Sequence, residues 1–376
     1  MPFNRREFLK NLSKTSFLSL AYLGSSCSSG SRPKSTDLIL GGGQYIDLKT
    51  KKTKYVLALY DFKKSVAEQI SVNFFAHGIS INPRSKNTLF LFQKKGSGAC
   101  EVNIKTKQVI RYMSPTNGCH FYGHGSYSKD GSLLFAVESY LNNHDGIISI
   151  RDTKSLDILG EIPSYGKSPH DCHLFNNGKL LAITNGGGTL DSTDSPSVCY
   201  VDVESGMLIE KIELPDQRIN AGHLVLSKNQ DLGVVSAPRS GLPGSDLGGV
   251  SFRKMGSEII NLQAPEEIKN RYVGETLSAA IHETSKTFAV TTPKGDIVSF
   301  WDTKNNQFKK HINLPRPRGI TATTDGKYFI VSYGSQASLG LIATDTLELQ
   351  KQASINATYI TGSHIINWHR ETNSFG

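Results

Sequence analysis

The sequence HGSYSKDG at residues 124–131, followed by LLFAV at residues 133–137, decides the fold. An Asp-Gly pair between two strand-like apolar stretches is the strongest short-range signal of a β-hairpin. The arrangement recurs near residue 77, where HGISI leads to TLFLF, and near residue 170, where HDCHL and an Asn-Gly pair lead to LLAI. These stretches predict a repeated pair of antiparallel strands.

Further strand-like stretches follow the hairpins, such as GIISIRD at 146–152 in one copy and VCYVD at 198–202 with LIEKI at 208–212 in another. Continuing this register gives seven first strands, 40 to 55 residues apart, that begin near residues 77, 124, 170, 223, 278, 318 and 364. Four strands per unit at such a period are typical of the blades of a β-propeller.

The last unit has only its first strand before the chain reaches Gly376. Its missing strands are most economically supplied by the stretches at 38–40 and 55–59 and by the strand after them. Sharing a blade in this way closes the ring and removes two exposed sheet edges. The sequence therefore predicts an all-β protein, a seven-bladed β-propeller whose ring is closed by N- and C-terminal strands that share one blade.

Composition agrees with this fold class, because the chain holds 35 glycines and shows no long helical periodicity after its first thirty residues. The net charge of +9 would by itself suggest a nucleic-acid partner. Residues 1–36, however, hold six basic residues against one acidic residue, so the remainder carries only +4. That remainder has no long run of Lys and Arg, and we expect no nucleic-acid binding.

The N-terminus carries NRREFLK at residues 4–10, ahead of a short apolar stretch at 17–23. Paired arginines followed by Phe-Leu-Lys indicate a twin-arginine export signal, the alternative being an amphipathic first helix. The apolar stretch is far shorter than the roughly 20 residues that span a bilayer. We therefore expect a periplasmic protein.

Cys27 ends the sequence LGSSC, which resembles a lipoprotein box with its leucine one position early, and is a candidate site for a lipid anchor. The expected domains are the signal at 1–27, a flexible tether at 28–36 and the propeller at 37–376.

The first strand of each blade lines the central channel of a propeller, so residues at the start of these strands converge. Five of the 11 histidines hold this position, and they are His77, His124, His170, His223 and His364. Arg318 holds the sixth place, and Leu277 or Ser278 holds the seventh. Neutral imidazole is the commonest ligand of Fe, Cu, Zn and Ni, whereas Arg318 favours an anion or a cofactor carboxylate. The five histidines are thus candidate metal ligands, the alternative being a channel that holds only ordered water.

Other polar residues are expected near the same rim. Glu138 and Asn185 end the second strands of their blades, and Asp171 follows His170, where its carboxylate can orient an imidazole. Four residues flank ring members and are either soft or imidazole ligands or inert buried side chains; they are Cys119, His120, Cys172 and His173. The remaining histidines are expected at the surface, and they are His144, His282, His311 and His369.

Several motifs within residues 118–188 resemble an uncharacterised family of twin-arginine-exported bacterial seven-bladed propellers. They are HFYGHG at 120–125, SKDG at 128–131, GEIPS at 160–164, PHD at 169–171 and AITNGG at 182–187. Members of the family are often encoded beside imelysin-type periplasmic iron-uptake proteins, so the resemblance implies a periplasmic role connected with iron or another transition metal, with metal-uptake proteins as partners. The chain departs from the family at Ser139 and at 190–194, where LDSTD replaces an acidic segment that bears histidine.

The sequence therefore predicts a periplasmic propeller that binds a transition metal or a metallo-cofactor, with Fe or Cu as the first choices, in metal uptake or handling. Two alternatives stay open. One is a hydrolase or lyase of the lactonase type that uses His124, Glu138 and Arg318 for acid–base work. The other is a platform for protein interactions. A non-enzymatic role is favoured over catalysis, because the channel offers a single predicted glutamate and no recognisable nucleophile.

Overall fold

The computed structural model describes residues 35–85 and 87–373. The predicted export signal, the candidate lipidation site Cys27 and the tether up to residue 34 lie outside the described residues. Within the part of the chain that is described, no helix is long and apolar enough to cross a membrane.

The described strands form six antiparallel sheets that make up seven blades, because one eight-stranded sheet contains both blade 2 and blade 3, and blade 1 is built from both ends of the described chain. Its strands, from the channel outwards, are β27 (Ile365–Asn367), β1 (Leu38–Ile46), β2 (Thr53–Asp61) and β3 (Val66–Val72). Blade 2 contains β4 (Ala76–Ile81), β5 (Thr88–Gly96), β6 (Ala99–Asn103) and β7 (Gln108–Met113). Blade 3 contains β8 (Cys119–Tyr127), β9 (Leu133–Tyr140), β10 (Asp145–Asp152) and β11 (Ile158–Lys167).

The remaining blades follow in chain order. Blade 4 contains β12 (Pro169–Phe175), β13 (Leu180–Asn185), β14 (Ser197–Asp202) and β15 (Leu208–Glu213). Blade 5 contains β16 (His223–Leu226), β17 (Leu232–Ser236), β18 (Gly249–Arg253) and β19 (Ile260–Asn261). Blade 6 contains β20 (Ser278–His282), β21 (Thr287–Thr292), β22 (Ile297–Asp302) and β23 (Phe308–Asn313). Blade 7 contains β24 (Ile320–Ala322), β25 (Tyr328–Tyr333) and β26 (Ser338–Ala343).

Two short α-helices lie between and after these strands, α1 (Glu266–Lys269) in the connection from blade 5 to blade 6 and α2 (Trp368–Asn373) directly after β27. The place of a fourth strand in blade 7 is taken by an irregular segment, in which Leu349 and Ile355 make isolated bridges to β26. Blades 2 and 3 are joined by extra pairing between β5 and β8, at Lys94 with Tyr122 and at Gly96 with Phe121.

The hydrophobic core consists of seven clusters, each between two neighbouring blades. Between blades 2 and 3, for example, the rings of Phe90, Phe92 and Phe121 pack together and are at most 1% exposed. Burying one such side chain contributes about 1.5 to 3 kcal/mol. An open row of seven blades would have only six such interfaces, so the seventh cluster, between blades 7 and 1, shows that the ring is closed.

Closure of the ring depends on β1, which pairs with β27 from Ile39 opposite Asn367 to Gly41 opposite Ile365. The carboxylate of Asp37, buried just before β1, supports this pairing. It accepts hydrogen bonds from the Asn367 side-chain amide at 2.7 Å and from the Thr324 backbone N–H at 3.0 Å. One carboxylate thus holds together the start of β1, the strand β27 and the turn of blade 7. The prediction of a seven-bladed propeller closed by both termini is confirmed.

Candidate metal centre

Four of the five predicted ring histidines occupy matching positions at the start of inner strands. His77 and His170 are the second residues of β4 and β12, His223 is the first residue of β16, and His364 directly precedes β27. Because inner strands of a propeller run side by side along the channel, these positions bring the four imidazoles to one place.

His124 reaches the same place by a different route, since it lies six residues into the long strand β8. The pairing of β8 with β9 is interrupted between Phe121 and Gly125, and Gly123 lies in this interruption with φ +125°. A Cβ atom on Gly123 would lie 2.8 Å from Cδ2 of His77. Glycine therefore provides both the backbone conformation and the room that let His124 join the other rings.

The ring nitrogens of the histidines meet at distances short enough for direct contact. His223 Nε2 lies 2.7 Å from His170 Nε2, 2.8 Å from His364 Nε2 and 3.2 Å from His77 Nε2. The ring centroid of His124 lies 4.9 to 5.2 Å from those of the other four. The structure thus brings all five predicted histidines, from five different blades, into one cluster.

These spacings suit a single metal ion. Bonds of about 2.0 to 2.1 Å from zinc to imidazole nitrogen place two nitrogen ligands about 2.9 to 3.4 Å apart, for octahedral and tetrahedral angles respectively. Four of the histidines, His77, His124, His223 and His364, each offer a nitrogen within 4.8 Å of the nitrogens of the other three. Small rotations of the rings would therefore bring them to coordination distance.

The second ring nitrogen fixes the tautomer of His170 and places His124 beside a carboxylate. His170 Nδ1 lies 2.9 Å from the carbonyl oxygen of Tyr122, an acceptor, so Nδ1 carries the proton and Nε2 presents a lone pair to the cluster. His124 Nδ1 lies 3.3 Å from Oδ1 of Asp171, while His124 Nε2 is buried without a hydrogen-bond partner. His170 therefore directs an unprotonated Nε2 into the cluster, as a ligand of a cation does.

Electrostatics keep the cluster neutral at neutral pH. Burial holds the pKa of four ring histidines well below the ordinary value, and neighbouring charges, including those of other cluster imidazoles, lower each pKa further; these are His77, His170, His223 and His364. Burial also lowers the pKa of His124, although the nearby Asp171 carboxylate opposes this effect. Unprotonated imidazole is the form that binds metals, so the cluster is ready to bind a metal without first releasing protons.

The sequence of this propeller matches a known protein family. Residues 70–366 match the sequence model of a family described as a protein of unknown function, DUF1513. The chain belongs to this family. No curated protein sequence matches it.

Two solved structures share the fold of this DUF1513 chain. Hydrazine synthase of Kuenenia stuttgartiensis has a TM-score of 0.62 and 13% identity, and the match covers 87% of this chain and 100% of that chain. The dihydro-heme d1 dehydrogenase NirN in complex with DHE has a TM-score of 0.58 and 10% identity, covering 94% of this chain and 78% of that chain. Both are β-propellers, and at these identities the likeness shows the fold alone.

In this DUF1513 chain, Asp171 lies where the sequence predicts a residue that orients an imidazole. Its carboxylate lies 3.3 Å from His124 Nδ1 and 3.3 Å from His173 Nε2, and it accepts the Leu224 backbone N–H at 3.2 Å. Burial acts to raise the pKa of Asp171, but the two imidazoles and the hydrogen bonds outweigh it and hold the pKa far below the ordinary value. A fixed negative charge therefore stands behind His124.

Arg318 lies beside the cluster as well. Its guanidinium donates to the carbonyl oxygen of Gly362 at 3.2 Å and to Ser363 Oγ at 3.1 Å. These two residues directly precede His364, so Arg318 fixes the segment that delivers this histidine to the cluster.

Glu138 and Asn185 are buried, but their polar groups are used within and between blades rather than at the cluster. The Glu138 carboxylate pairs with the Arg151 guanidinium at 2.8 Å and accepts the Ser149 hydroxyl at 2.6 Å. The Asn185 amide exchanges hydrogen bonds of 2.7 and 2.8 Å with the side chain and backbone of Ser164. Both residues therefore hold strands together, and the structure does not bring them to the histidines.

The four described cysteines are free and buried, and they are Cys100, Cys119, Cys172 and Cys199. Burial raises the pKa of Cys119 to about 11 and that of Cys172 well above its ordinary value, which agrees with inert side chains. His282, expected at the surface, is instead buried at the end of β20, where its Nδ1 lies 2.7 Å from Ser285 Oγ. The turn that follows β20 folds back over this ring.

Sequence reasoning missed Lys94, which lies near the end of β5. Its side chain opens into a cavity of about 180 Å³ that is also lined by His170, His223 and Glu275. The positive charge of Lys94 is among the causes, after burial, that lower the pKa of His77, His124, His170 and His364. Lys94 lies on the second strand of its blade and not at the start of a first strand, so the repeat in the sequence does not single it out.

Proposed function

We propose that this chain is a transition-metal-binding propeller that handles iron or another transition metal outside the cytoplasm. The proposal is carried by one observation, the convergence of imidazoles from five blades, in which His223 Nε2 lies 2.7 to 3.2 Å from three other Nε2 atoms, more contacts than one ring N–H can serve. Facing lone pairs repel unless a cation or a proton lies between them. Because burial keeps these imidazoles unprotonated, a metal ion is the partner that satisfies the arrangement.

The donor set selects the class of metal. Imidazole nitrogen suits Fe, Cu, Zn and Ni, whereas Ca²⁺ and Mg²⁺ take oxygen ligands. Among the described residues, the one carboxylate in contact with the cluster is that of Asp171, which lies against the Nδ1 edge of His124. A carboxylate behind a ligating histidine fixes its tautomer and strengthens it as a donor. Fe and Cu remain the first choices, and a haem-type or other metallo-cofactor remains the broader form of the proposal.

The setting of this function follows from the N-terminal sequence. The twin-arginine pattern at residues 4–10 supports export of a folded protein to the periplasm, with the metal site assembled before transit. Cys27 would add a lipid anchor to the membrane surface. The resemblance to propellers encoded beside imelysin-type iron-uptake proteins supports such proteins as partners.

The lactonase-type alternative loses its predicted acid, because the Glu138 carboxylate is buried and neutralised by Arg151. A general acid or base must reach its substrate to within hydrogen-bonding distance. Acid–base catalysis by His124, Glu138 and Arg318 acting together is therefore disfavoured.

Elemental analysis of the exported protein tests the proposal. The full-length chain, purified from the periplasm without affinity metals, should contain about one equivalent of Fe, Cu or Zn, and a His170→Ala/His223→Ala double variant should lose it. His311→Ala, which removes a histidine of the outer strand β23, is the matched control and should keep the metal. A folded wild-type protein that neither carries metal nor takes up Fe²⁺, Cu²⁺, Zn²⁺ or Co²⁺ would rule the proposal out.

A further inference from the structure

One wall of the cavity beside the cluster carries a positive side chain, that of Lys94. The Lys94 ammonium forms no hydrogen bond, and no ion pair within 4 Å, with any other described residue. Its ammonium is exposed to the cavity, whose wall also includes Gly186, Gly222 and Thr276. A cation with this freedom at the rim of a binding site is available to a ligand rather than committed to the fold.

The charges around the cluster do not suit a bare metal ion. The imidazoles are neutral, and Asp171 contributes one negative charge. Lys94 and Arg318 are both positive, and the negative charge of Glu275 attracts both of them. A divalent ion at the histidines therefore adds two positive charges to a site that is already close to balance. Coulomb repulsion inside the protein is much stronger than in water, so a negative partner is needed.

We propose that this cavity binds a small oxyanion, a carboxylate or a phosphate, which contacts Lys94 and also ligates the metal ion held by the histidines. The inference rests on the proposed metal site and adds to it the ligand class that completes the site. The geometry supports a shared ligand, because His170 and His223 line the cavity and also belong to the cluster. An oxygen atom in the cavity can therefore reach the ion while its neighbour reaches the Lys94 ammonium.

The size of the cavity narrows the ligand further. A volume of about 180 Å³ equals that of about six liquid water molecules. Pockets for drug-sized molecules and cofactors are about 300 to 1,000 Å³. The space therefore fits an anion of a few non-hydrogen atoms next to a bare ion, and it is small for a macrocycle.

Binding of Co²⁺ to the folded full-length protein tests the inference, because its visible spectrum reports a change of ligand. Co²⁺ is titrated in chloride buffer alone and, separately, in the same buffer with acetate or with phosphate. With the anion present, the wild type should bind Co²⁺ about tenfold more tightly than in chloride alone, and the visible band of the bound ion should shift. A tenfold change is an ordinary coupling between two linked ligands. Lys94→Met should lose this enhancement. In the absence of either anion, Lys94→Met should bind Co²⁺ more tightly than the wild type, because the repulsion is relieved. Lys105→Met, at an exposed turn, is the matched control and should behave as the wild type.

The possible results separate the two proposals. A folded protein that binds none of the tested metals refutes the metal site itself. Binding of Co²⁺ with the same affinity and spectrum in all buffers refutes the oxyanion and leaves the metal site standing. An anion effect that Lys94→Met retains in full also refutes the inference. A response to acetate alone, or to phosphate alone, supports it and identifies the class of oxyanion.

Discussion

Replacing Asp37 by alanine should open the propeller at the shared blade. Asp37 is 2% exposed, and besides Asn367 and the Thr324 backbone it also accepts the Thr324 hydroxyl at 2.5 Å. The substitution leaves the buried Asn367 amide without this acceptor, and it also removes the hydrogen bonds from the exposed Thr324, a bond to a charged group being worth about 1.5 to 3 kcal/mol. A buried polar group that loses its partner costs about 1 to 3 kcal/mol. We therefore expect the free energy of unfolding to fall by about 2 to 5 kcal/mol.

Urea unfolding followed by tryptophan fluorescence measures this loss and also shows where it acts. The chain has two tryptophans. Trp368 begins α2, directly after the closing strand, and Trp301 lies in β22 of blade 6. In a Trp301→Phe background, Asp37→Ala should move the transition reported by Trp368 to lower urea. Asp47→Ala, which removes an exposed carboxylate from the β1–β2 turn, is the control and should cost no more than about 1 kcal/mol. An Asp37→Ala variant as stable as this control would refute the account of ring closure.

The same contacts predict a pH dependence. Burial acts to raise the pKa of Asp37, but hydrogen bonds from Ser35, Thr324 and Asn367 outweigh it and hold the pKa below its ordinary value. A carboxyl with a lower pKa in the folded state stabilises the fold above its unfolded pKa, near 4, and this stabilisation is lost as the pH falls through the folded pKa. The difference in stability between the wild type and Asp37→Ala should therefore shrink below about pH 4, as measured by urea unfolding at a series of pH values.

Three further predictions concern the cluster and its surroundings. Gly123→Ala adds a methyl group 2.8 Å from the His77 ring at a residue with positive φ. It should lower the affinity for Co²⁺ at least about tenfold, while the far-ultraviolet circular dichroism spectrum stays the same. Unchanged affinity would contradict the role given to this glycine. Asp171→Asn should weaken Co²⁺ binding about 10- to 100-fold in a direct titration, and full binding would mean that its carboxylate does not act on His124. Arg151→Met should lower the free energy of unfolding by about 3 to 5 kcal/mol, because it leaves the buried Glu138 carboxylate without its ion-pair partner. The metal content of the folded protein should stay the same. A loss of metal would indicate that Glu138 contributes to the metal site.

The sequence was sufficient for the fold and for the cluster because both repeat. Asp-Gly turns and a period of 40 to 55 residues fix the blade starts, and equivalent positions of equivalent strands must lie together in a closed ring. The position of His124 before the Asp-Gly turn was enough to predict it as a member of the cluster. In the structure, the interruption of strand pairing around Gly123 is what brings His124 to the same place as the other four histidines.

The residues that sequence reasoning misplaced are those whose environment does not repeat. Glu138 lies on β9, where six consecutive residues from Leu134 to Ser139 are buried, so alternation could not show which way its carboxylate points. Lys94 belongs to a second strand that extends beyond its own blade to pair with β8. His282 lies between its own turn at Ser285 and the ring of Phe329 in blade 7, a contact between blades that the hydrophobic pattern does not encode.

The cluster draws its members from positions as far apart in the chain as His77 and His364, and it lies across the junction where the last strand is inserted. A nascent or truncated chain that lacks β27 can hold neither the full set of nitrogens nor the sealed ring. Under the proposed metal-binding function, occupancy of the site would report that the ring has closed. An unfinished molecule would be recognisable by its failure to retain an ion.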